Sequence, residues 1–149
     1  MRVSGVNSAP CLECYYCKRG QYQLCEHLFE DGMGFLGTYA EYIRIPARLA
    51  RINVWEIPDG VPYEYAAITE PLACILNGVE ESNIQIGDTV VFIGCGTIGL
   101  LGIQLARLRG AQTVIAMDIK DERLSIARTL GADITINPVS YTHLTLPTN

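Results

Sequence analysis

A chain of 149 residues has room for one ordinary domain or for pieces of two. Hydrophobic residues at 49% and charged residues at 18% allow a packed core and exclude a chain disordered throughout. Lys+Arg number 11 against 16 Asp+Glu, a formal charge of −5, and the scattered cations lack the footprint of a protein that grips a phosphate backbone.

Residues 1 to 10 read as an extended lead-in, and residues 11 to 34 as a loop region carrying Cys, Tyr and Gly. Tyr39 to Ile45 is rich in β-forming residues and predicts a strand. Ile57-Pro58-Asp59-Gly60 is a turn signal. Pro71 is expected to begin a helix, because proline is tolerated in a first turn, and Glu70 stands beside that N-terminus. From Ile86 the texture becomes strand–helix–strand, opening with a Gly87-Asp88 turn. Thr89 to Ile93 is a nearly continuous apolar run, as in strands buried on both faces. Ile98, Leu101, Leu105 and Leu108 recur at helical spacing. Thr113 to Met117 predicts a second buried strand. Asp121 is expected to cap a second helix that Gly131 stops, and Ile134 to Ile136 begins a third strand. No internal repeat and no secretory leader is read. Thr89 to Ala106 lacks charge over 18 residues, a borderline length for a membrane span. Its glycines instead fit a buried strand, a glycine turn and the start of a helix.

Six cysteines without a secretory leader point to metal or chemistry rather than disulfides. Cys74 and Cys95 sit alone in apolar surroundings, where cysteine usually serves as a small core residue. The other four form Cys11-x2-Cys14-x2-Cys17-x7-Cys25. Four thiolates on a short loop suit a closed, tetrahedral, structural zinc, whose binding would order a loop too short to own a core. An iron–sulfur cluster is the competing reading, although the ferredoxin run continues with x3 and Cys-Pro where this chain has seven residues and Glu26. A nucleic-acid zinc ribbon, suggested by Tyr15, Tyr16 and Tyr22 beside Lys18 and Arg19, is disfavoured by the acidic balance.

Gly94-Cys95-Gly96-Thr97-Ile98-Gly99 is a G-x-G-x-x-G run that follows a predicted strand and opens a predicted helix. The first glycine permits the tight turn, the second close approach of a pyrophosphate, and the third close packing of helix on strand. The helix N-terminus supplies unpaired N–H groups for phosphate. Asp118 ends the next strand, 19 residues after Gly99. There a carboxylate can accept the hydroxyls of an adenosine ribose and repel a 2′-phosphate, favouring NAD over NADP. The plainer alternative is glycines that only pack and an Asp that only ends a strand.

These two features in this order resemble the zinc-dependent medium-chain alcohol and polyol dehydrogenases. Ala9-Pro10-Cys11 through Cys25 is similar to the family's structural zinc lobe, and Gly37-Thr38-Tyr39-Ala40-Glu41-Tyr42 to its following strand. Ile57 to Val61, Ala66-Ala67 and Glu70-Pro71-Leu72-Ala73 are similar to the passage into the cofactor domain, and Ile86 to Val90 to the lead into the glycine loop. The Glu-Pro-Leu-Ala form points to the sorbitol and polyol branch, with the L-threonine dehydrogenase branch next. The resemblance implies an α/β chain. Residues 1–85 would be the later part of a GroES-like β domain, and 86–138 the first half of a Rossmann domain. It implies that Cys11, Cys14, Cys17 and Cys25 hold structural zinc. It implies that Glu70 faces a catalytic zinc, as a ligand or through its bound water. Gly94, Gly96 and Gly99 would form the cofactor-binding loop, with the Ile98 backbone meeting the pyrophosphate, Asp118 the ribose and Arg123 the adenosine end. Read without the family, Glu70 is an acid at a helix start, where the dipole favours it, and Arg123 is a solvated helix cation. The implied reaction is zinc- and NAD-dependent oxidation of a secondary alcohol, a polyol foremost. The implied setting is a cytoplasmic protein with a small-molecule substrate, no nucleic-acid or membrane partner, and a homo-oligomeric full-length parent.

The chain also departs from the family. The catalytic ligands, a Cys and then Gly-His-Glu, lie upstream of the lobe in relatives, whereas here the lobe begins ten residues after Met1. The sole histidines, His27 and His143, sit in no such motif. A doubly wound sheet uses about six strands, and this chain supplies two to three. Val139 to Asn149 leaves the family pattern and resembles translated adapter sequence, so it is expected to be non-native. The chain alone is expected to be an inactive fragment. The rivals are a non-catalytic zinc- and nucleotide-binding module and a zinc-free quinone reductase relative, the latter disfavoured by the four cysteines.

Overall fold

The computed structural model describes residues 1–30 and 39–140. The last nine residues, Tyr141 to Asn149, and the Gly37-Thr38 start of the expected family strand lie outside the described residues. The chain forms two compact units, Met1–Glu70 and Pro71–Asn149.

In the first unit β1 (Val3–Gly5) pairs antiparallel with β2 (Val54–Glu56), with Ser4 opposite Trp55. Two short 3-10 turns, Cys17–Arg19 and Tyr22–Leu24, and the helix α1 (Ala47–Ile52) lie between them in sequence. The predicted turn forms at Pro58–Val61, where Gly60 takes a φ of +83° and the Val61 N–H donates to the Pro58 carbonyl at 3.2 Å. Arg2 steadies it by donating to the Val61 and Pro58 carbonyls at 2.9 and 3.1 Å. The short helix α2 (Tyr63–Ala66) follows, and Ala9, Leu49, Ile57 and Ala66 are buried. Tyr39 to Ile45 does not form the expected strand and is irregular, with Tyr39 and Tyr42 fully exposed. β propensity reflects fit to a pleated, half-buried surface, and these residues have no ladder to join among the described residues.

Helix α3 (Thr69–Glu81) starts two residues before Pro71, which still sits in the first turn where its missing N–H is harmless. In the second unit β3 (Thr89–Ile93), β4 (Thr113–Met117) and β5 (Ile134–Ile136) form a parallel sheet in the order β3-β4-β5. Helix α4 (Thr97–Leu108) packs on β3 and β4, and α5 (Asp121–Thr129) on β4 and β5. The core joins Val114 and Ala116 to Ile103, Ala106, Leu124 and Ala127. Lys120, not Asp121, precedes α5, and no side chain caps it; Asp121 occupies the first helical position. Gly131, at φ +113°, ends the helix as expected.

Two expectations about burial are corrected. β3 is not covered on both faces: Val91 and Ile93 stand 48% and 86% exposed, while Val90 and Phe92 pack on the core. The inward face of α4 is Gly102, Ile103 and Ala106 rather than the stripe of large residues, and Leu108 faces outward. Close approach selects small residues here: a Cβ on Gly102 would lie 2.4 Å from the Phe92 ring.

Arg107 closes this unit. Its guanidinium donates to the Gly131, Ala111 and Gln112 carbonyls at 2.9, 3.2 and 2.8 Å and pairs with Asp133. The Asp133 carboxylate in turn accepts the Val114 N–H at 2.7 Å. No helix among the described residues is long and apolar enough to cross a membrane; Thr89 to Ala106 is β3, the glycine loop and most of α4.

Candidate metal lobe and dinucleotide loop

In the first unit, Cys11, Cys14, Cys17 and Cys25 converge, their sulfurs all within 4.8 Å of one another. Among the described residues no other His, Cys, Asp or Glu set groups this way. A tetrahedron with metal–sulfur bonds of about 2.3 Å has edges of about 3.8 Å, so the donor set fits one zinc ion. A multi-iron cluster would hold its cysteines further apart. The Cys11 and Cys17 sulfurs are 4.0 Å apart, well beyond a disulfide bond.

The backbone folds N–H groups onto these sulfurs. Cys11 donates to the Cys25 Sγ at 3.3 Å, as does His27, and Cys14 and Glu13 donate to the Cys11 Sγ at 3.3 and 3.4 Å. N–H groups at Cys17 and Glu26 bring the Cys14 thiol down to about 6, whereas burial pushes Cys17 up to about 12. Burial opposes ionisation of Cys25, but N–H groups at Cys11 and His27 outweigh it and the net shift is downward. A divalent ion among the four sulfurs would favour ionisation of every one of them. Of residues 11 to 30 only Cys17 and Cys25 are buried. Leu12 between the first two ligands is held at a φ of +65°, which sequence reading missed; a residue just after a metal ligand is the place to look for it.

His27 stands outside the ligand set, its Nδ1 2.5 Å from a Glu30 oxygen. Glu70 lies exposed in the first turn of α3 and is not part of the four-sulfur cluster. Cys74 is exposed rather than a core residue, whereas Cys95 is buried as expected.

In the second unit the glycine loop leaves the carboxyl end of β3. Gly94 turns at φ +99°, its N–H bonded to the Met117 carbonyl at 2.7 Å. Gly99 sits against the start of the same loop, where a Cβ would lie 1.9 Å from the Gly94 carbonyl oxygen. Gly96 precedes α4 and no side chain caps the helix. The first intrahelical acceptor bond comes from Leu100 to Gly96, at 2.9 Å, leaving the N–H groups of Thr97, Ile98 and Gly99 for an anion.

Asp118 is buried beneath this loop, 7% exposed. Its Oδ2 accepts the Cys95 N–H at 2.8 Å and its Oδ1 the Lys120 N–H at 2.9 Å, while Arg123 Nη1 lies 3.5 Å from Oδ2. The Cys95 and Lys120 N–H groups hold its carboxyl below the ordinary value. Asp133 is lowered likewise, first by the Val114 N–H and then by Arg107. Both carboxyls bind protons more weakly folded than unfolded, so their stabilisation is present above the ordinary 3.8 and disappears as pH falls through the lower folded values. Expected is a plateau of stability through neutral pH with loss below about pH 4, and a shallower acid loss in Asp133→Asn, read by circular dichroism. An acid limb identical in that variant contradicts the assignment.

An antiparallel β unit bearing a four-cysteine cluster, then a parallel α/β unit with an uncapped glycine loop and an acid at the next strand end, are the features of a metal-lobed, dinucleotide-binding class of protein. Comparison with known proteins agrees. The family profile described as alcohol dehydrogenase GroES-like domain matches residues 1–59, and the one described as zinc-binding dehydrogenase matches 97–145. An erythritol/L-threitol dehydrogenase of Mycolicibacterium smegmatis is 41% identical over 140 residues, covering 91% of this chain and 37% of that protein. An L-threonine 3-dehydrogenase of Pyrococcus abyssi is 41% identical over 128 residues, covering 86% of this chain and 35% of that protein. A zinc-binding dehydrogenase from Sinorhizobium meliloti, solved with NADP, superposes at a TM-score of 0.82 and 38% identity over 93% of this chain and 40% of its own. The chain belongs to the zinc-dependent medium-chain alcohol and polyol dehydrogenase family, of which it spans a GroES-like part and a Rossmann-like parallel sheet. It covers little more than a third of the length of the two curated relatives.

Proposed function

We propose that this chain is part of a zinc- and NAD-dependent oxidoreductase acting on a secondary alcohol, a polyol foremost and L-threonine as the second reading. The observation that carries this is the glycine loop pinned over an ionised Asp118, with three N–H groups left open at the start of α4. On this reading residues 1–85 supply the later part of the catalytic domain and 86–138 the first half of the cofactor domain. Cys11, Cys14, Cys17 and Cys25 hold a structural zinc; being closed by four sulfurs, it offers no position to substrate. Gly94, Gly96 and Gly99 shape the cofactor loop, the Ile98 backbone meets the pyrophosphate, Asp118 the ribose hydroxyls, and Arg123 the adenosine end. Glu70 would face a catalytic metal, as a ligand or through its bound water; among the described residues it joins no group of metal-competent side chains. A catalytic zinc, if held there, would supply Lewis-acid polarisation of the substrate hydroxyl, and a bound nicotinamide would supply the hydride acceptor. The negative Asp118 disfavours a 2′-phosphate, hence NAD.

The 149-residue chain by itself does not turn over alcohol on this reading, because neither His27 nor His143 stands in a Gly-His-Glu sequence. Two measurements test this. Titration with ADP-ribose and its 2′-phosphorylated form is expected to show at least tenfold tighter binding of the former. Mixing the chain with NAD and erythritol, threitol, sorbitol or L-threonine is expected to give no reduced cofactor. Equal affinity for the two nucleotides would sink the NAD assignment, and steady turnover would sink the claim of inactivity.

A further inference from the structure

The Asp118 carboxylate is engaged before any nucleotide arrives. Its Oδ2 accepts the N–H of Cys95, the residue between the first two loop glycines, at 2.8 Å. Its other oxygen accepts the Lys120 N–H at 2.9 Å. The same stretch of loop is tied to the end of β4 twice more: Gly94 N–H to the Met117 carbonyl at 2.7 Å, and Cys95 Sγ to that carbonyl at 3.6 Å. The Cys95 side chain is itself buried, 1% exposed, so the loop cannot lift without uncovering it. A charged acceptor shielded from water holds an N–H more strongly than a neutral one, and losing it would leave that N–H buried and unpaired. The bond constrains the turn that sets where the N–H groups of Thr97, Ile98 and Gly99 point.

We infer that Asp118 is a positioning residue for the pyrophosphate cradle: besides meeting the ribose, it holds the glycine loop in its phosphate-receiving shape through the Cys95 N–H. The inference rests on the dinucleotide reading above and adds a task to one of its residues. A carboxylate has about four lone-pair sites, so accepting the Cys95 and Lys120 N–H groups leaves others for ribose hydroxyls while Oδ2 serves the loop. Arg123, 3.5 Å away, balances the charge without taking the position of the Cys95 N–H.

The test uses the full chain. Amide hydrogen exchange without nucleotide compares the parent chain with Asp118→Ala and Asp118→Asn. The Cys95 amide is expected to exchange about tenfold or more faster in Asp118→Ala, and to a lesser degree in Asp118→Asn, while the Val114 and Ala116 amides keep their rates. An unchanged Cys95 rate overturns the proposal. If Asp118→Ala loosens the whole unit, Asp118→Asn decides on the same local criterion. The second readout is binding of ADP-ribose and of its 2′,3′-dideoxyribose analogue, which has no adenosine ribose hydroxyls to meet Asp118. A carboxylate that only read those hydroxyls would leave analogue binding untouched by mutation. Expected instead is about tenfold weaker analogue binding in Asp118→Ala; equal affinity overturns the proposal. A parent chain that binds neither ligand defeats the dinucleotide reading, and the exchange measurement still judges the role of Asp118 in the loop.

Discussion

Gly99→Ala is expected to unfold the glycine loop and abolish nucleotide binding, whereas Gly96→Ala keeps the fold and loses only the nucleotide. The two glycines stand three residues apart in one motif yet do different work. A Cβ on Gly99 would lie 1.9 Å from the Gly94 carbonyl oxygen and 3.0 Å from its carbonyl carbon. Both are backbone atoms, so no side chain can swing aside, and either α4 or the end of β3 must move by more than an ångström. Overpacking of this kind costs about 2–3 kcal/mol, which in a unit of this size lowers the unfolding midpoint by about 10 °C or more. The displaced N–H groups then miss the phosphate oxygens, and losing two charge-assisted bonds weakens ADP-ribose binding about a hundredfold or more. A Cβ on Gly96, by contrast, meets no atom within 4 Å, and the residue has an ordinary φ of −76°. Alanine is tolerated there until a pyrophosphate needs the same space. Thermal unfolding and ADP-ribose titration of the two variants check this. A Gly99→Ala protein melting with the parent chain would show that the loop yields more easily than its geometry allows.

What could be read from the sequence were the features encoded within a few residues of one another. The bounds of β3, β4 and β5 came out as Thr89–Ile93, Thr113–Met117 and Ile134–Ile136 because apolar runs bracketed by glycine and polar residues are local signals. The four cysteines announced themselves by spacing, and they meet in space. Failures came where a partner distant in sequence decides. Tyr39 to Ile45 has strand propensity without a ladder among the described residues. On the inward face of α4 the Phe92 ring leaves no room for a side chain at Gly102, so large side chains at helical spacing pointed to the wrong face. The Arg107 junction cannot be seen locally either, since its carbonyl partners lie across two loops and its carboxylate on Asp133. An arginine in the last turn of a helix was the available hint. Asp118 was legible as an acid at a strand end; its burial and its grip on Cys95 were not.

Loss of one thiolate is expected to collapse the metal lobe while leaving the sheet of the second unit intact. Residues 11 to 30 bury only Cys17 and Cys25, so nothing apolar within the segment replaces the ordering that an ion supplies. Leu12, Tyr15, Tyr22, Leu24 and Phe29 are all about half exposed and gain little from the lobe being closed. Leu12, at φ +65°, adds strain that must be offset elsewhere. Structural zinc in short thiolate-rich peptides contributes about 10–16 kcal/mol of apparent binding energy at neutral pH, and the fold is lost with it. Cys17→Ser removes the most buried ligand of the four and leaves a hydroxyl, a poor donor to a soft site. The parent chain is expected to carry about one zinc and no iron; Cys17→Ser falls towards zero. Hydrogen exchange then accelerates across residues 11 to 30, while the amides of β4, held by the Val114 and Ala116 core, keep their protection. Cys74→Ser serves as the control, because Cys74 is exposed and lies outside the cluster; its metal content stays at the parent level. A chelator acting on the parent chain should reproduce the Cys17→Ser pattern. A lobe that stays ordered with its zinc stripped away would mean the four sulfurs converge for some reason other than an ion.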